Sequence, residues 1–459
     1  MTIADLPMQR IAHRLVARKP LSEIARDSEE SGYKRTLGVW DLLSIGVGGI
    51  IGAGIFVLTG KAAAQNAGPG VVISYVIAGT ISTLASLCYA ELASSLPVSG
   101  SAYSFSYATL GELLAWVIGW DLMLEYLVGG ATVAVGWSAY LGILQDVINK
   151  LTGGSWVFDS QFVNAPFIWL EQGDKIPWNH NLTTDAAGFW MNQVQNSAGN
   201  LVTPIINLPA LLIVVACTSI LMVGIKESVN VNNLMVIIKL LVVLLVIFSG
   251  IAFIHPENYV PFIPENEGKG KFGLSGVFEA SVSVFFAYIG FDSVTTVAQE
   301  SKNPQKDLPI GIIGSLMVCT VLYISVSAVI TGMVKYTDID LAAPVGAAFS
   351  TVGLPLLALI IDIGAIAGLT SVLLNLMIGQ PRIFQSMAND GLFPSAFSRI
   401  HPKTGTPYVA TLTSGITCAV LASLLPVDLL GNLTSVGTLF AFFLVSISVI
   451  VLRITDPGF

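Results

Sequence analysis

Ten apolar stretches, each long enough to cross a bilayer as a helix, constrain this chain more than any other feature. A spanning helix needs about 20 predominantly apolar residues, and the stretches fall at 41–60, 69–92, 111–146, 206–225, 232–254, 274–298, 309–334, 356–385, 408–426 and 432–453. In lipid the backbone must satisfy its own hydrogen bonds, which leaves helices or closed barrels. Barrel strands alternate apolar and polar residues, and these runs do not. With 54% of its 459 residues hydrophobic and only 11% charged, the chain is also far from a soluble enzyme or a disordered segment. It reads as an all-α polytopic membrane protein. The third and eighth stretches exceed one bilayer thickness, so a tilt or kink is expected in each.

Charge placement sets an orientation. With the N-terminus cytosolic, fourteen of the 21 Lys and Arg residues, including every arginine, fall in inner tails and loops; six fall outside and Lys239 lies within a segment. That bias follows the positive-inside rule. The first 40 residues hold no apolar core ahead of a small-residue cleavage site and read as a cytosolic tail. The remainder divides into 41–254, with an outer insertion at 147–205 that is expected either to form a small cap or to be mobile, then 255–453 and a stub at 454–459. Cys88, Cys217, Cys319 and Cys418 all lie in apolar runs, so no disulfide framework is implied.

Two stretches are poor helices at matching positions in the two halves. The first carries Gly46, Gly48, Gly49, Gly52 and Gly54 in GVGGIIGAGIF, and each glycine costs about 1 kcal/mol relative to alanine in a helix interior. The run is either small-residue packing, since Gly48 and Gly52 have GxxxG spacing, or a broken helix whose freed amides face a cavity. A nucleotide loop is excluded because position 51 is Ile and no GxxxxGK occurs. The sixth stretch contains FFAYIGFDS, with Asp292 two residues after Gly290. Paired interruptions of this kind point to a transporter of inverted-repeat design, with substrate between half-helix ends. Amides exposed at one end attract a carboxylate and carbonyls at the other attract an ammonium, and an amino acid carries both.

Ionisable residues inside the bilayer usually mark pathways, pairs or relays. Asp121 and Glu125 fall near the midplane, spaced i, i+4 on one face with Gly129 a turn further; each is either a packing carboxylate or a group that meets a substrate cation. Glu91 and Asp362 sit nearer segment ends or packing positions. Lys239 is about 10 Å along the fifth stretch from its inner end. It either snorkels back to that interface or is buried, as a proton carrier or a fixed substitute for a metal cation. His13, His180, His255 and His401 all lie in tails or loops, which leaves any proton relay to carboxylates or Lys239. No HExxH or GxSxG occurs, so the chain is not read as an enzyme.

GGIIGAGIFVLTG (48–60), AGPG (67–70), CYAELASSLPVSGSAYSFSYATLGE (88–112), GWDLMLEY (119–126), FFAYIGFDSV (285–294), ESKNPQKDLPIGI (300–312) and GQPRIFQSMANDGLFP (379–394) resemble the amino acid/polyamine/organocation superfamily, and within it the bacterial-type members of the cationic amino acid transporter branch. The likeness covers all ten stretches. It implies a LeuT-like 5+5 inverted repeat with broken segments 1 and 6, and a secondary active amino acid transporter of the cell membrane working by alternating access. It also implies that backbone around Ile50, Gly52, Ala53 and Gly54 receives the substrate carboxylate, that carbonyls near Ala287 and Ile289 receive its α-ammonium, and that Phe286 closes over it. Glu125 matches a carboxylate lining the pocket, Gly129, Asn375 and Leu376 match the side-chain pocket, and Lys239 matches a lysine standing where related folds hold sodium, which implies proton symport. The implied partners are an amino acid, a proton and membrane lipid, with no cofactor, metal or nucleic acid. Ala53 stands where relatives can carry a hydroxyl, and Leu376 would block a long guanidinium. Members usually carry two or more helices beyond the tenth. The expected function is proton-coupled symport of cationic (Arg/Lys) or broad-range L-amino acids; the alternatives are an exchanger without net ion coupling, a small neutral amino acid transporter, and an amino acid sensor on a transporter scaffold.

Overall fold

The structure is a computed structural model that describes residues 17–20, 22–24, 26, 32–52, 54–155, 157–170, 175–176, 179–183, 188–196, 199–268, 270–341 and 343–455. Seven helical stretches among these are long and apolar enough to cross a membrane, and three shorter apolar helices, Val39–Ile50, Leu208–Val223 and Tyr408–Leu424, accompany them. Together they recover the ten apolar runs, with two differences that matter for function.

The first run is split. Helix α1 (Val39–Ile50) ends at an extended Ile51, and helical structure resumes as π turns at Gly54–Leu58 and Ala63–Ala67 around a short α turn, Thr59–Ala62. Ala53 lies outside the described residues. The sixth run is split too: α8 (Gly273–Phe285) passes through a 3-10 turn at Phe286–Tyr288, and helix returns only at α9 (Ser293–Thr296). The two breaks pass backbone to backbone. A Cβ on Gly49 would stand 2.8 Å from the Gly290 carbonyl oxygen, and one on Gly290 would stand 2.7 Å from the Gly49 carbonyl carbon and oxygen. Gly290 also holds φ +114, a value that side chains rarely tolerate. Gly49 is therefore a requirement of the crossing itself, while Gly46, Gly48 and Gly52 admit Ser315, Asn375 and Val372 of neighbouring helices: the helix is broken, and its glycines also serve close packing.

Around this crossing the other helices form the wall. These are α2 (Val71–Ser95), α3 (Ala102–Thr109), α4 (Glu112–Met123), α5 (Gly129–Thr152), α6 (Leu208–Val223), α7 (Ile225–Gly250), α10 (Pro304–Met333), α11 (Pro344–Thr351), α12 (Pro355–Asn389), α13 (Tyr408–Leu424) and α14 (Val427–Thr455). Helix starts follow local chemistry. Asn207 caps α6, its side chain accepting from the Ala210 amide at 3.2 Å, and prolines at the first turns of α10, α11 and α12 occupy positions where an amide is not needed.

The sequence reading missed α3, a short helix folded back between the second and third runs, because its eight residues are too few to look like a span. The long third run is not one regular helix: a π turn at Leu124–Val128 joins α4 to α5 and changes the register that the i, i+4 argument assumed. Arg382, expected at the inner end of the eighth run, is not a surface cation. It is buried inside α12. In the outer insertion the described residues form three two-stranded antiparallel ladders, pairing β1 (Phe167–Leu170) with β4 (Gly188–Met191), β2 (Lys175–Ile176) with β3 (Asn179–Thr183), and β5 (Val194–Gln195) with β6 (Leu201–Val202).

Candidate functional site

A cavity of about 170 Å³ opens where the two helix breaks cross. Its backbone end is made by Gly49, Ile50, Gly52 and Gly54 from the first break and Phe286, Ala287, Ile289 and Gly290 from the second; Glu125 and Gly129 line it from the π-turn region. The rest of the wall is Thr132, Val133, Gly136, Leu369, Val372, Leu376, Val427 and Thr434, apolar apart from two threonine hydroxyls, with Val372 packed beside Gly52 of the first break. Gly129 adjoins this part of the wall, since a Cβ there would meet Thr434 at 3.1 Å and Leu376 at 3.7 Å. Nine sequence-expected site residues therefore line one cavity: Ile50, Gly52, Gly54, Glu125, Gly129, Phe286, Ala287, Ile289 and Leu376.

Asn375 does not line it. Its amide donates to the Asn232 side-chain oxygen at 3.1 Å, one layer behind the wall, so on α12 the cavity takes Leu369, Val372 and Leu376 and leaves their neighbour outside.

Lys239 occupies a separate position beneath the break. It is fully buried, and its ammonium donates to the carbonyls of Gly48 at 2.9 Å and Ile51 at 2.8 Å and to the Ser371 hydroxyl at 2.7 Å. Three donors thus meet three acceptors. The site is the C-terminal end of the half-helix α1, where unpaired carbonyls and the helix dipole favour a cation. Among the described residues no carboxylate pairs with Lys239, so backbone oxygen alone, plus one hydroxyl, holds the charge. The snorkelling alternative is not the one the fold uses.

Glu125 is the reverse case. It is 1% exposed, and neither carboxylate oxygen has a close hydrogen-bond partner; the Thr438 hydroxyl, which donates to the Thr434 carbonyl at 3.1 Å, is the polar group within reach of it. Asp292 and Asp121 are its closest charged neighbours. Asp292 accepts from the Tyr126 hydroxyl through one oxygen and leaves the other unpaired, and Asp121 turns towards Gly437 on α14. A buried polar group without a partner is costly, and of these three carboxylates only Glu125 lines the cavity.

Tyr323 of α10 was missed in the sequence. Its hydroxyl lies 2.8 Å from both the Ile50 and the Ala287 carbonyls, and so ties the first break to the second. A tyrosine in an apolar run carries no positional signal. Thr132, Val133 and Gly136 did carry one, because they follow Gly129 at i+3, i+4 and i+7 on the same helical face. No cluster of His, Cys, Asp or Glu suited to a metal ion occurs among the described residues.

Two discontinuous helices crossing at a buried cavity, within a bundle of bilayer-length helices, define a membrane carrier of the LeuT-like type. The fold matches that of MhsT in complex with L-phenylalanine, with a TM-score of 0.58 at 14% identity over 93% of this chain and 90% of that one. Residues 37–459 match the amino acid permease family. The chain is 46% identical to the branched-chain amino acid permease BcaP of Bacillus subtilis (strain 168), over 95% of this chain and 84% of that protein. It is 42% identical to the methylthioribose transporter of the same organism, over 96% and 86%, and 37% identical to the vacuolar cationic amino acid transporter 2 of Arabidopsis thaliana, over 96% and 64%. The chain belongs to the amino acid permease family, a branch of the superfamily that its motifs resemble, and it is a multi-pass membrane transporter.

Proposed function

We propose that the protein carries neutral aliphatic L-amino acids across the cell membrane by alternating access, with its N-terminus cytosolic, its outer surface in lipid, and residues 41–254 and 255–453 as the two inverted repeats. The observation that carries the substrate class is the apolar share of the cavity wall, where Gly129, Val133, Leu369, Val372 and Leu376 stand, with Glu125 as its one carboxylate. A branched side chain gains there by leaving water, roughly 1.5–3 kcal/mol when fully buried, whereas a guanidinium would lose its hydration unpaired. The 46% identity to a protein named as a branched-chain amino acid permease supports the same class.

In this reading the substrate carboxylate meets the amides at Ile50, Gly52, Ala53 and Gly54, and its ammonium meets carbonyls at Ala287 and Ile289. Phe286 closes over both. Lys239 is the coupling group for a symported proton: its ammonium holds the Gly48 and Ile51 carbonyls together, and loss of its proton frees an acceptor and loosens the break. Glu125 favours a second reading. A buried carboxylate with no close partner, facing the cavity, is the feature a cationic amino acid would use, and relatives named as cationic amino acid transporters keep that class in play.

Competition in proteoliposomes separates the two. Uptake of labelled leucine should be displaced by leucine, valine and alanine and left nearly untouched by lysine, arginine and methylthioribose. Displacement by arginine at leucine-like concentrations would overturn the neutral class in favour of the cationic one.

A further inference from the structure

We propose that Asp362 is an outer docking point for the substrate's α-ammonium, a subsite that the amino acid occupies on its way to the cavity from the face opposite the N-terminus. The proposal rests on the reading of the cavity as the substrate site. Asp362 is 3% exposed inside α12, and among the described residues no hydrogen-bond donor or cation is paired with its carboxylate. Burying such a group unpaired is costly, and at membrane depth it marks a functional site by default.

Its place on α12 points to the substrate route. Leu369 and Leu376, which line the cavity, follow Asp362 by seven and fourteen residues and so share its face of the helix, about 10 Å and 21 Å further in. The facing helix repeats the arrangement: Gly136 of α5 lines the cavity, and Tyr140, one turn beyond it, is buried beside Asp362. The Trp137 ring N–H donates to the Thr370 hydroxyl at 3.0 Å and pins the two helices together at cavity level, so Tyr140 and Asp362 both stand on its outer side. Lys239 lies elsewhere. The α12 residues against it are Gly368 and Ser371, and Ser371 is nine residues, two and a half turns, from Asp362, on the opposite face. A proton carrier serving Lys239 would stand on that face; a group that meets the substrate stands on this one.

Helix α11 covers the subsite. A Cβ on Gly346 would stand 2.6 Å from one Asp362 carboxylate oxygen, and the start of α11 lies equally close to the outer half of the first break, where a Cβ on Gly60 would stand 2.1 Å from Pro344. Movement of α11 away from these contacts uncovers the carboxylate from outside. A carboxylate and a tyrosine hydroxyl suit a primary ammonium with its three donors, and they supply too few oxygens for a divalent cation. The α-ammonium is common to all of the candidate substrates, so the subsite reads the invariant part of the amino acid and leaves side-chain choice to the cavity.

Sided kinetics in oriented proteoliposomes test this. In Asp362→Asn, entry from the outer face should need about tenfold more leucine for half-maximal rate. Exit should keep its half-saturating concentration and lose maximal rate by the same factor, since detailed balance ties the two directions; Asp362→Glu should recover most of both losses. Half-saturation raised equally on both faces, or on neither, would overturn the subsite. If Asp362→Asn does not assemble, carbodiimide labelling of Asp362 in the unmodified protein is followed by mass spectrometry. Isoamylamine, an ammonium without a carboxylate, should slow the labelling severalfold, and 4-methylpentanoate should leave it unchanged; equal labelling with both would overturn the proposal. Failure of the substrate reading looks different: the unmodified protein would not move leucine at all, while protection by the amine would remain.

Discussion

Lys239 and Glu125 are both buried ionisable side chains beside the same broken helix, and their surroundings are opposite. Lys239 makes three short hydrogen bonds with its three donors. Glu125 makes no close one with either oxygen. A group whose needs are met by its own fold belongs to the framework, and disturbing it should loosen the framework. A group left unmet at a cavity edge is paid for in stability and recovers that cost when something arrives. The difference separates the part of the site that holds the break in shape from the part that waits for a ligand.

The largest effect should come from breaking the satisfied side. Lys239→Met removes the donor to Ile51 and one of two donors to Gly48, whose carbonyl also accepts from Ser371 at 3.1 Å, and a buried carbonyl left without a partner costs about 1–3 kcal/mol. Thermal unfolding in detergent should shift down by several degrees, and pH-driven leucine uptake should fall about a hundredfold, because site and coupling fail together. Glu125→Gln is the contrasting case. It replaces a carboxyl group that has no close hydrogen-bond partner in the fold, so thermal stability should hold or rise slightly while uptake falls about tenfold. If both variants lost stability equally, the distinction between framework and waiting group would be gone.

Tyr323→Phe sharpens the comparison at the seam between the two breaks. The lost hydroxyl contacts both Ile50 and Ala287, worth about 1 kcal/mol net, and the expected result is a severalfold rise in the leucine concentration for half-maximal uptake with a modest loss of stability. The smallest change is one of preference. Leu376→Ser opens the cavity wall beside Gly129, and arginine, which competes weakly with the unmodified protein, should compete a few-fold better. Unchanged selectivity would reject Leu376 as a wall of the side-chain pocket.

Much of this was legible in the sequence because lipid simplifies the physics. Ten apolar runs had to be helices, and five glycines in nine residues had no other use than close approach, which the Gly49–Gly290 crossing now explains. What stayed hidden depended on three-dimensional pairing. Nothing in the sequence tells Tyr323 from other aromatic residues in apolar runs, or shows that Asn375 turns to Asn232 while Leu376 turns to the cavity. The π turn at Leu124–Val128 was invisible for the same reason, since one extra residue in a helical turn leaves no mark on hydropathy. Arg382 was counted among residues near the membrane surface because its partner, Glu300, is distant in the chain. The burial of Leu37 was missed altogether: a charged, weakly amphipathic tail gives no hint that Leu37 will be bridged to Ser301.

The account turns on whether the break held by Lys239 couples substrate to protons. The most direct measurement is labelled-leucine accumulation in sodium-free proteoliposomes with an alkaline interior. Accumulation above the external concentration, collapsing when the pH gradient is dissipated and absent in Lys239→Met, is the predicted result. Accumulation that instead requires a sodium gradient, or that follows the pH gradient undiminished in Lys239→Met, would contradict it.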